Sequence, residues 1–272
     1  MTLCDLRYYS PALEKETGAM VVLPPTRGEA PTPAPPFPVF YLLHGLSDDY
    51  TAWTRRSNIE RYAEDYPFIV VMPDGGRGFY TDAREGYAYE TAIVRDLVGF
   101  VDRTFRTDAR REARVIGGLS MGGYGALKLA LRHPDLFCSA TSHSGALAVA
   151  HRRLDLTRAD EREFSRIFGP DPAGGPDDLF ALAEAIDRSR LPALRIDCGA
   201  DDFLLNANRR FNGRLTSLGI DHEYEEFPGA HTWDYWDQHV RDALAFHARA
   251  IARSGGATGQ ADGRATHHQI VI

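Results

Sequence analysis

The sequence has little cysteine, and its three cysteines show no paired spacing. Cys4, Cys138 and Cys198 form an odd, scattered set without a Cys-x-x-Cys pattern. Such a set is typical of free thiols in a reducing compartment, whereas disulfide frameworks are typical of small secreted domains. The first residues carry Asp5 and Arg7 and lack the apolar stretch of a secretory signal. These observations predict a cytoplasmic location.

Basic charge and long hydrophobic runs are also scarce. The chain has 31 Lys and Arg against 38 Asp and Glu, so its net charge is −7. A nucleic-acid partner is therefore not expected, because phosphates favour a basic surface. No apolar run approaches the ~20 residues that span a bilayer, and no membrane association is expected. Nearly all the positive charge is arginine, since Lys15 and Lys128 are the only lysines.

What is present is an alternation of short apolar runs with helical patterns over a chain of 272 residues. Strands that alternate with helices predict an α/β fold, with a mostly parallel central sheet and helices on both faces. Phe203 to Leu218 and Trp236 to Ile251 have helical periodicity. The predicted strands are Ala19–Leu23, Val39–Leu43, Phe68–Met72, Arg114–Gly118, Phe137–Ser142, Leu194–Cys198 and His222–Phe227.

Three segments depart from this alternation. Residues 24–38 are dense in proline and predict an extended surface loop. Residues 254–272 have few apolar side chains to bury and predict a mobile tail. Residues 146–190 form a long polar insertion of the kind that often acts as a lid. The remainder, residues 1–253, is predicted to be a single domain.

The clearest chemical signal is Gly118-Leu119-Ser120-Met121-Gly122, which matches G-x-S-x-G. An apolar strand precedes the motif and a helix follows it, which is the context of a nucleophile at a sharp turn. The flanking glycines are expected because side chains there would collide with neighbouring backbone. The motif predicts Ser120 as a nucleophile.

A serine hydroxyl needs a general base, and His231 is the best placed of the ten histidines. In hydrolases with this turn, the chain order is serine, then acid, then histidine. His231 lies in the loop Pro228–Trp233 that follows the last predicted strand. The other histidines precede the acid, begin a strand, or fall in the last helix or the tail.

The acid should follow the strand that ends near Cys198, where Asp201 and Asp202 stand side by side. Asp74 follows another strand, but it precedes Ser120 and so fails the chain order. The acid only has to accept a hydrogen bond from the histidine ring and fix its tautomer. The residues alone therefore leave Asp201 and Asp202 as alternatives.

Acyl transfer also needs hydrogen-bond donors for the negative oxygen that develops on the substrate. One expected donor is the backbone N–H of Met121, directly after the nucleophile. The second is expected in the loop His44-Gly45-Leu46-Ser47, which places it at the N–H of Leu46. No metal ion or cofactor is expected in this chemistry.

Five ordered motifs resemble the "putative esterase" (esterase D-like) family of α/β-hydrolases. They are His44-Gly45-Leu46, Met72-Pro73-Asp74-Gly75, Gly118-Leu119-Ser120-Met121-Gly122-Gly123, Cys198-Gly199-Ala200-Asp201-Asp202-Phe203-Leu204 and Gly229-Ala230-His231-Thr232-Trp233. The likeness runs from about Leu6 to Ile251. It implies an α/β-hydrolase fold with an acyl-enzyme mechanism, and it implies Asp202 as the acid. The segment from Trp53 to Tyr80 is most similar to the tributyrin esterase-like branch, and the likeness to S-formylglutathione hydrolases is weaker.

These residues predict a serine carboxylesterase for soluble esters of small alcohols, phenols or sugars, with short acyl chains of about C2 to C6. The expected pocket residues are Trp53, Tyr80, Phe164, Phe168 and Trp233. An acyltransferase or a thioesterase could use the same three groups. A non-catalytic ligand-binding member of the fold is the alternative from another class. Whether the chain forms a homo-oligomer is left open.

Overall fold

The computed structural model describes residues 1–24, 34–152 and 157–258. Most of the predicted proline-rich loop, at 25–33, and most of the predicted tail, at 259–272, lie outside the described residues. The start of that tail differs from the prediction, because the last helix continues to Thr258.

The predicted parallel sheet is present and has eight strands in the order β1-β2-β4-β3-β5-β6-β7-β8. The pairs from β4 through β8 are parallel, and β1 and β2 are joined antiparallel at one edge. The strands are β1 (Thr2–Ser10), β2 (Lys15–Leu23), β3 (Val39–Leu43), β4 (Ile69–Pro73), β5 (Arg114–Leu119), β6 (Ser139–His143), β7 (Ala193–Gly199) and β8 (Glu223–Phe227). The seven predicted runs correspond to β2 through β8, and β1 was not predicted.

Helices cover both faces of the sheet. They are α1 (Ala52–Arg56), α2 (Ile59–Ala63), α3 (Tyr89–Thr91), α4 (Val98–Thr104), α5 (Met121–Arg132), α6 (Ala159–Phe168), α7 (Leu179–Ala185), α8 (Leu205–Ser217) and α9 (Trp233–Thr258), with a π-helical turn at Ala92–Leu97 between α3 and α4. None of the helices within the described ranges combines the length and the apolar character needed to cross a bilayer.

Side chains of the central strands alternate between two hydrophobic cores, as the period of a strand requires. In β3, Tyr41 and Leu43 face a core that includes residues of α4, α5, α7 and α8. Phe40 and Leu42 face the opposite core, which includes residues of α1, α2 and α9. The sheet is therefore buried on both faces, and the carboxyl ends of its parallel strands all lie at the same end of the sheet. A single domain over residues 1–253 stays a prediction.

The polar insertion at 146–190 carries α6 and α7 and lies beside the first turns of α5. Phe164 and Phe168 of α6 contact Phe79 at ring-centroid distances of 5.3 and 5.4 Å. Phe168 also lies 6.0 Å from the ring of Tyr124. The guanidinium of Arg77 adds two hydrogen bonds to the carboxylate of Glu163 in α6. The apolar side chains of the insertion thus attach it to the body of the protein.

A buried ion network connects α5 to the insertion and to the segment that precedes α4. Lys128 is fully buried, and its ammonium lies 2.6 Å from Glu90 and 3.4 Å from Asp177. His133 and Arg132 approach the other oxygen of Glu90 at 2.8 and 3.1 Å. Burial alone would raise the pKa of Glu90, but these hydrogen bonds and charges lower it to about 2. The carboxylate therefore stays ionised inside the protein.

Replacing Lys128 by methionine should strongly destabilise the fold, because Glu90 would keep its charge and lose its closest partner. We expect the free energy of unfolding to fall by about 3–5 kcal/mol. Urea unfolding followed by circular dichroism measures the change.

Lys15→Met is the matched control, since the Lys15 ammonium lies 5.3 Å from the centroid of the Tyr87 ring and, among the described residues, within ion-pair distance of no carboxylate. It should cost less than about 1 kcal/mol. The sign of the pH dependence follows from Glu90, whose folded pKa is lowered from 4.5 to about 2. The ionised Glu90 stabilises the folded state above pH 4.5, and this stabilisation is lost towards pH 2. The difference in the free energy of unfolding between wild type and Lys128→Met should therefore narrow at low pH. A gap independent of pH would contradict this account.

Candidate active site

Ser120 lies at the turn between β5 and α5, at the carboxyl end of a central strand of the sheet. Its φ of +52° is left-handed, a conformation that side chains other than glycine rarely adopt. The backbone N–H of Ser120 donates to the carbonyl oxygen of His143 on the neighbouring strand, at 2.9 Å. The carbonyl of Ser120 accepts from Tyr124 and Ala146, at 3.1 Å each. The strained residue is therefore fixed from three sides.

Gly122 allows this turn because its Cα lies against the loop after β3. A β-carbon at Gly122 would lie 2.5 Å from the carbonyl oxygen of Leu43 and 2.7 Å from that of His44. Backbone cannot move aside as a flexible side chain can. The close approach brings the first turn of α5 next to the end of β3, so both loops reach Ser120.

The structure brings Ser120, His231 and Asp202 together in one hydrogen-bonded chain. His231 Nε2 lies 3.0 Å from Ser120 Oγ, and His231 Nδ1 lies 2.8 Å from Asp202 Oδ2. Asp202 is buried, whereas the alternative acid, Asp201, is exposed. Asp74 lies elsewhere, 3.6 Å from the imidazole of His44.

The environment of Asp202 keeps its carboxylate charged. Burial by itself would raise the pKa of Asp202, but the hydrogen bond to His231 and one from the backbone N–H of Leu204 lower it. An ionised carboxylate at Nδ1 requires a proton on that nitrogen, which leaves Nε2 free to accept the proton of Ser120. The geometry fits a nucleophile with its base and an orienting acid.

Two backbone N–H groups stay candidate donors to an oxygen bound beside Ser120. Met121 is the first residue of α5, so its N–H has no acceptor within the helix. Gly45 packs against the nucleophile, since a β-carbon there would lie 2.7 Å from Leu119 Cδ1 and 3.7 Å from Ser120 Cβ. Leu46 directly follows, and in the described part of the chain no backbone carbonyl accepts from its N–H.

His44 supports this loop; in the sequence it belongs to the expected donor loop, and no role was predicted for its side chain. Its Nε2 accepts a hydrogen bond from the backbone N–H of Gly75 at 2.9 Å, so the proton lies on Nδ1, 2.7 Å from the carbonyl of Gly45. The hydroxyl of Tyr80 donates to the carbonyl of His44 at 3.0 Å. The imidazole thus joins the loops after β3 and β4. The sequence signal was the pairing of His44-Gly45 with Asp74-Gly75 at successive strand ends.

An open cleft of about 430 Å³ leads to Ser120. It is lined by residues from the loops after β3 and β8, from the end of β5 and the turn that follows it, from α1 and α9 and from the position after Asp202: Gly45, Leu46, Ser47, Asp48, Arg56, Leu119, Ser120, Phe203, His231, Thr232, Trp233 and Trp236. Trp233, one of the predicted pocket residues, is among them. Phe203, Arg56 and Trp236 were not predicted.

The other four predicted pocket residues pack behind the cleft or beside it. Trp53 is buried and donates from Nε1 to the carbonyl of Leu43 at 3.1 Å, beneath the ring of Trp233. Tyr80 is buried under the loop after β3. Phe164 and Phe168 pack at the interface between the insertion and α5. No described residue of the insertion lines this cleft, so the structure differs here from the expected lid.

Known proteins resemble the chain over most of its length. A family profile described as "Putative esterase" matches residues 10–247. The chain belongs to this esterase family. An acetyl esterase of Caldicellulosiruptor saccharolyticus is 30% identical over 264 residues, which cover 92% of this chain and 99% of that protein.

Solved structures of related hydrolases share the fold of this esterase. A fluorophosphonate-binding serine hydrolase of Staphylococcus aureus matches with a TM-score of 0.79 and 29% identity, covering 90% of this chain and 98% of the other. An S-formylglutathione hydrolase of the same organism matches with a TM-score of 0.78 and 30% identity, with the same coverage. The esterase is thus an α/β-hydrolase of the serine hydrolase type. Its assignment to the tributyrin esterase-like branch stays a prediction.

Gly122→Ala should damage the esterase at the turn, because the added methyl group meets two backbone oxygens. We expect the free energy of unfolding to fall by about 1–3 kcal/mol and esterase activity to fall with it. Gly213→Ala is the control, since nothing lies within 4 Å of a β-carbon at that helical position. It should raise stability by about 0.5–1 kcal/mol. Thermal unfolding and ester hydrolysis measure both variants, and equal behaviour would refute the steric argument.

Proposed function

We propose that the protein is a serine carboxylesterase that works through an acyl-enzyme on Ser120. The observation that carries the proposal is the chain of hydrogen bonds from Ser120 through His231 to Asp202, at 3.0 and 2.8 Å. These distances suit proton transfer from the nucleophile to a neutral imidazole.

In the proposed first half-reaction, Ser120 Oγ attacks the carbonyl carbon of the ester while its proton passes to His231 Nε2. The carbonyl oxygen becomes negative and accepts hydrogen bonds from the N–H groups of Leu46 and Met121. The tetrahedral intermediate then collapses, and the bond to the alcohol oxygen breaks. His231 gives its proton to that oxygen, and the alcohol leaves.

In the second half-reaction, water takes the place of the alcohol. His231 accepts a proton from the water as its oxygen attacks the acyl carbon of the Ser120 ester. Collapse of the second intermediate releases the carboxylic acid and returns the proton to Ser120. Asp202 stays ionised throughout and stabilises the imidazolium.

The substrate is proposed to be a soluble ester with a short acyl chain of about C2 to C6. Two observations support a small acyl group. The cleft is small, at about 430 Å³, and charged and polar residues interrupt its apolar walls. The relative from Caldicellulosiruptor is named an acetyl esterase.

Thioester hydrolysis is the second candidate function. The matched S-formylglutathione hydrolase is as similar in sequence, at 30%, as the acetyl esterase. The same three groups would serve a thioester, with a thiolate as the leaving group. Transfer of the acyl group to an alcohol instead of water, a cytoplasmic location and the oligomeric state stay predictions.

Ser120→Ala should remove esterase activity and leave the fold intact. We expect kcat/KM for p-nitrophenyl acetate to fall by at least about a thousandfold, because no other group can form the acyl-enzyme. A fluorophosphonate probe should add one covalent group to the wild type, at Ser120, and none to the variant. Peptide mass mapping after labelling locates the adduct.

Ser217→Ala serves as the control, since Ser217 is exposed at the end of α8 and its hydroxyl donates to the carbonyl of Arg214. It should react with the probe like wild type. Substantial esterase activity in a folded Ser120→Ala protein would disprove the mechanism.

The acyl preference can be measured with p-nitrophenyl esters from acetate to palmitate. We expect kcat/KM to peak at short chains and to fall steeply beyond about C8, since each CH₂ that cannot be buried forgoes about 0.8 kcal/mol. A peak at C12 or longer, or activation by an oil–water interface, would contradict the proposed substrate class.

A further inference from the structure

The leaving alcohol must lie on the His231 side of Ser120, because His231 returns the proton to its oxygen. A row of aromatic rings extends from that side along the cleft. The ring centroids of His231 and Trp236 are 4.8 Å apart, and those of Trp236 and Trp233 are 5.5 Å apart. The guanidinium of Arg56 lies 6.0 Å from the Trp233 ring. The row therefore ends in a positive charge.

Arg56 has no carboxylate within ion-pair distance in the described ranges 1–24, 34–152 and 157–258. Its neighbour Arg55 differs in this respect. The guanidinium of Arg55 lies 3.2 Å from Asp49 and donates to the hydroxyl of Thr51 at 2.6 Å. Both arginines are exposed, but Arg56 alone lines the cleft. Its guanidinium is available to a carboxylate on a ligand, which it can bind through two parallel hydrogen bonds.

The negative charge in the cleft lies at the other end. Asp48 lines the cleft beside the loop of the proposed oxyanion donors, where a β-carbon on Gly45 would lie 3.2 Å from its Oδ2. Asp48 has no cation within ion-pair distance among the described residues. The cleft is therefore negative next to Leu46 and positive beyond Trp233. A substrate carboxylate is disfavoured beside Asp48 and favoured on the leaving-group side.

Phe203 adds apolar surface on the leaving-group side. It is 75% exposed, and its ring centroid lies 4.5 Å from that of His231. An exposed ring beside a reactive histidine can contact an aromatic leaving group. The rings of Phe203 and Trp233 both line the cleft.

We infer that the cleft holds a subsite for an anionic group on the leaving alcohol, with Arg56 as the residue that binds it. The inference rests on the proposed esterase function of Ser120. The favoured substrate class is an aryl ester whose phenol carries a carboxylate.

Two acetates of matched shape test this subsite: para-acetoxybenzoate, which is anionic, and its neutral methyl ester. The quantity of interest is the ratio of their kcat/KM values, anionic over neutral, in each protein variant. Comparing ratios between variants cancels the intrinsic reactivity of the two phenols. In Arg56→Gln the ratio should fall about fivefold relative to wild type, as expected for loss of a partly solvated charge pair.

Arg55→Gln is the matched control and should keep the wild-type ratio. Arg56→Lys keeps the charge without the planar fork and should restore part of the preference. Added sodium chloride should lower the wild-type ratio towards that of Arg56→Gln, because salt screens exposed charges.

The outcomes separate this inference from the proposed function. If Arg56→Gln lowers the ratio less than twofold, or if Arg55→Gln lowers it equally, the subsite is refuted while the esterase function stands. If wild type hydrolyses neither acetate in a Ser120-dependent manner, the proposed function itself fails. A fall of twofold or more that is specific to Arg56 supports the subsite.

Discussion

The backbone of the first turn of α5 lies against the carbonyl oxygens of Leu43 and His44, with no room for a β-carbon at Gly122. Because of this contact, the left-handed Ser120, the N–H of Met121 and the loop at Gly45 all lie at one point of the sheet edge. The loops after β7 and β8 then carry Asp202 and His231 to the same point. The site therefore depends on the close approach of two backbone segments, the first turn of α5 and the end of β3. Parallel pairing of β3 and β5 places these segments side by side.

Much of this arrangement could be predicted from the sequence, because the signals were local and ordered along the chain. The predicted run Val39–Leu43 has the bounds of β3, and the run from Arg114 ends one residue before β5 does. Ser120, Asp202 and His231 follow β5, β7 and β8, whose carboxyl ends lie side by side at one end of the sheet. In contrast, β1 was missed because its side chains alternate between exposed and buried positions at the edge of the sheet, and no continuous apolar run marks it.

The cleft walls could not be predicted in the same way. An aromatic residue close in sequence to a catalytic loop can equally pack beneath that loop or face the solvent. Trp53 and Tyr80 donate hydrogen bonds to the backbone at and after the end of β3. Phe164 and Phe168 pack between the insertion and the body of the protein. Phe203, which does line the cleft, was not predicted as a pocket residue because its exposure depends on how α8 begins. These choices are made by tertiary packing rather than by local pattern.

The burial of Lys128 has a consequence for the chemical handling of the protein. Because the sequence contains only one other lysine, Lys15, an amine-directed reagent meets a single lysine side chain on the folded molecule. Conjugation of a dye or a solid support through lysine would therefore be confined to the start of β2. Acylation of Lys128 would occur only in molecules that had opened, so its rate would report how often the native state unfolds.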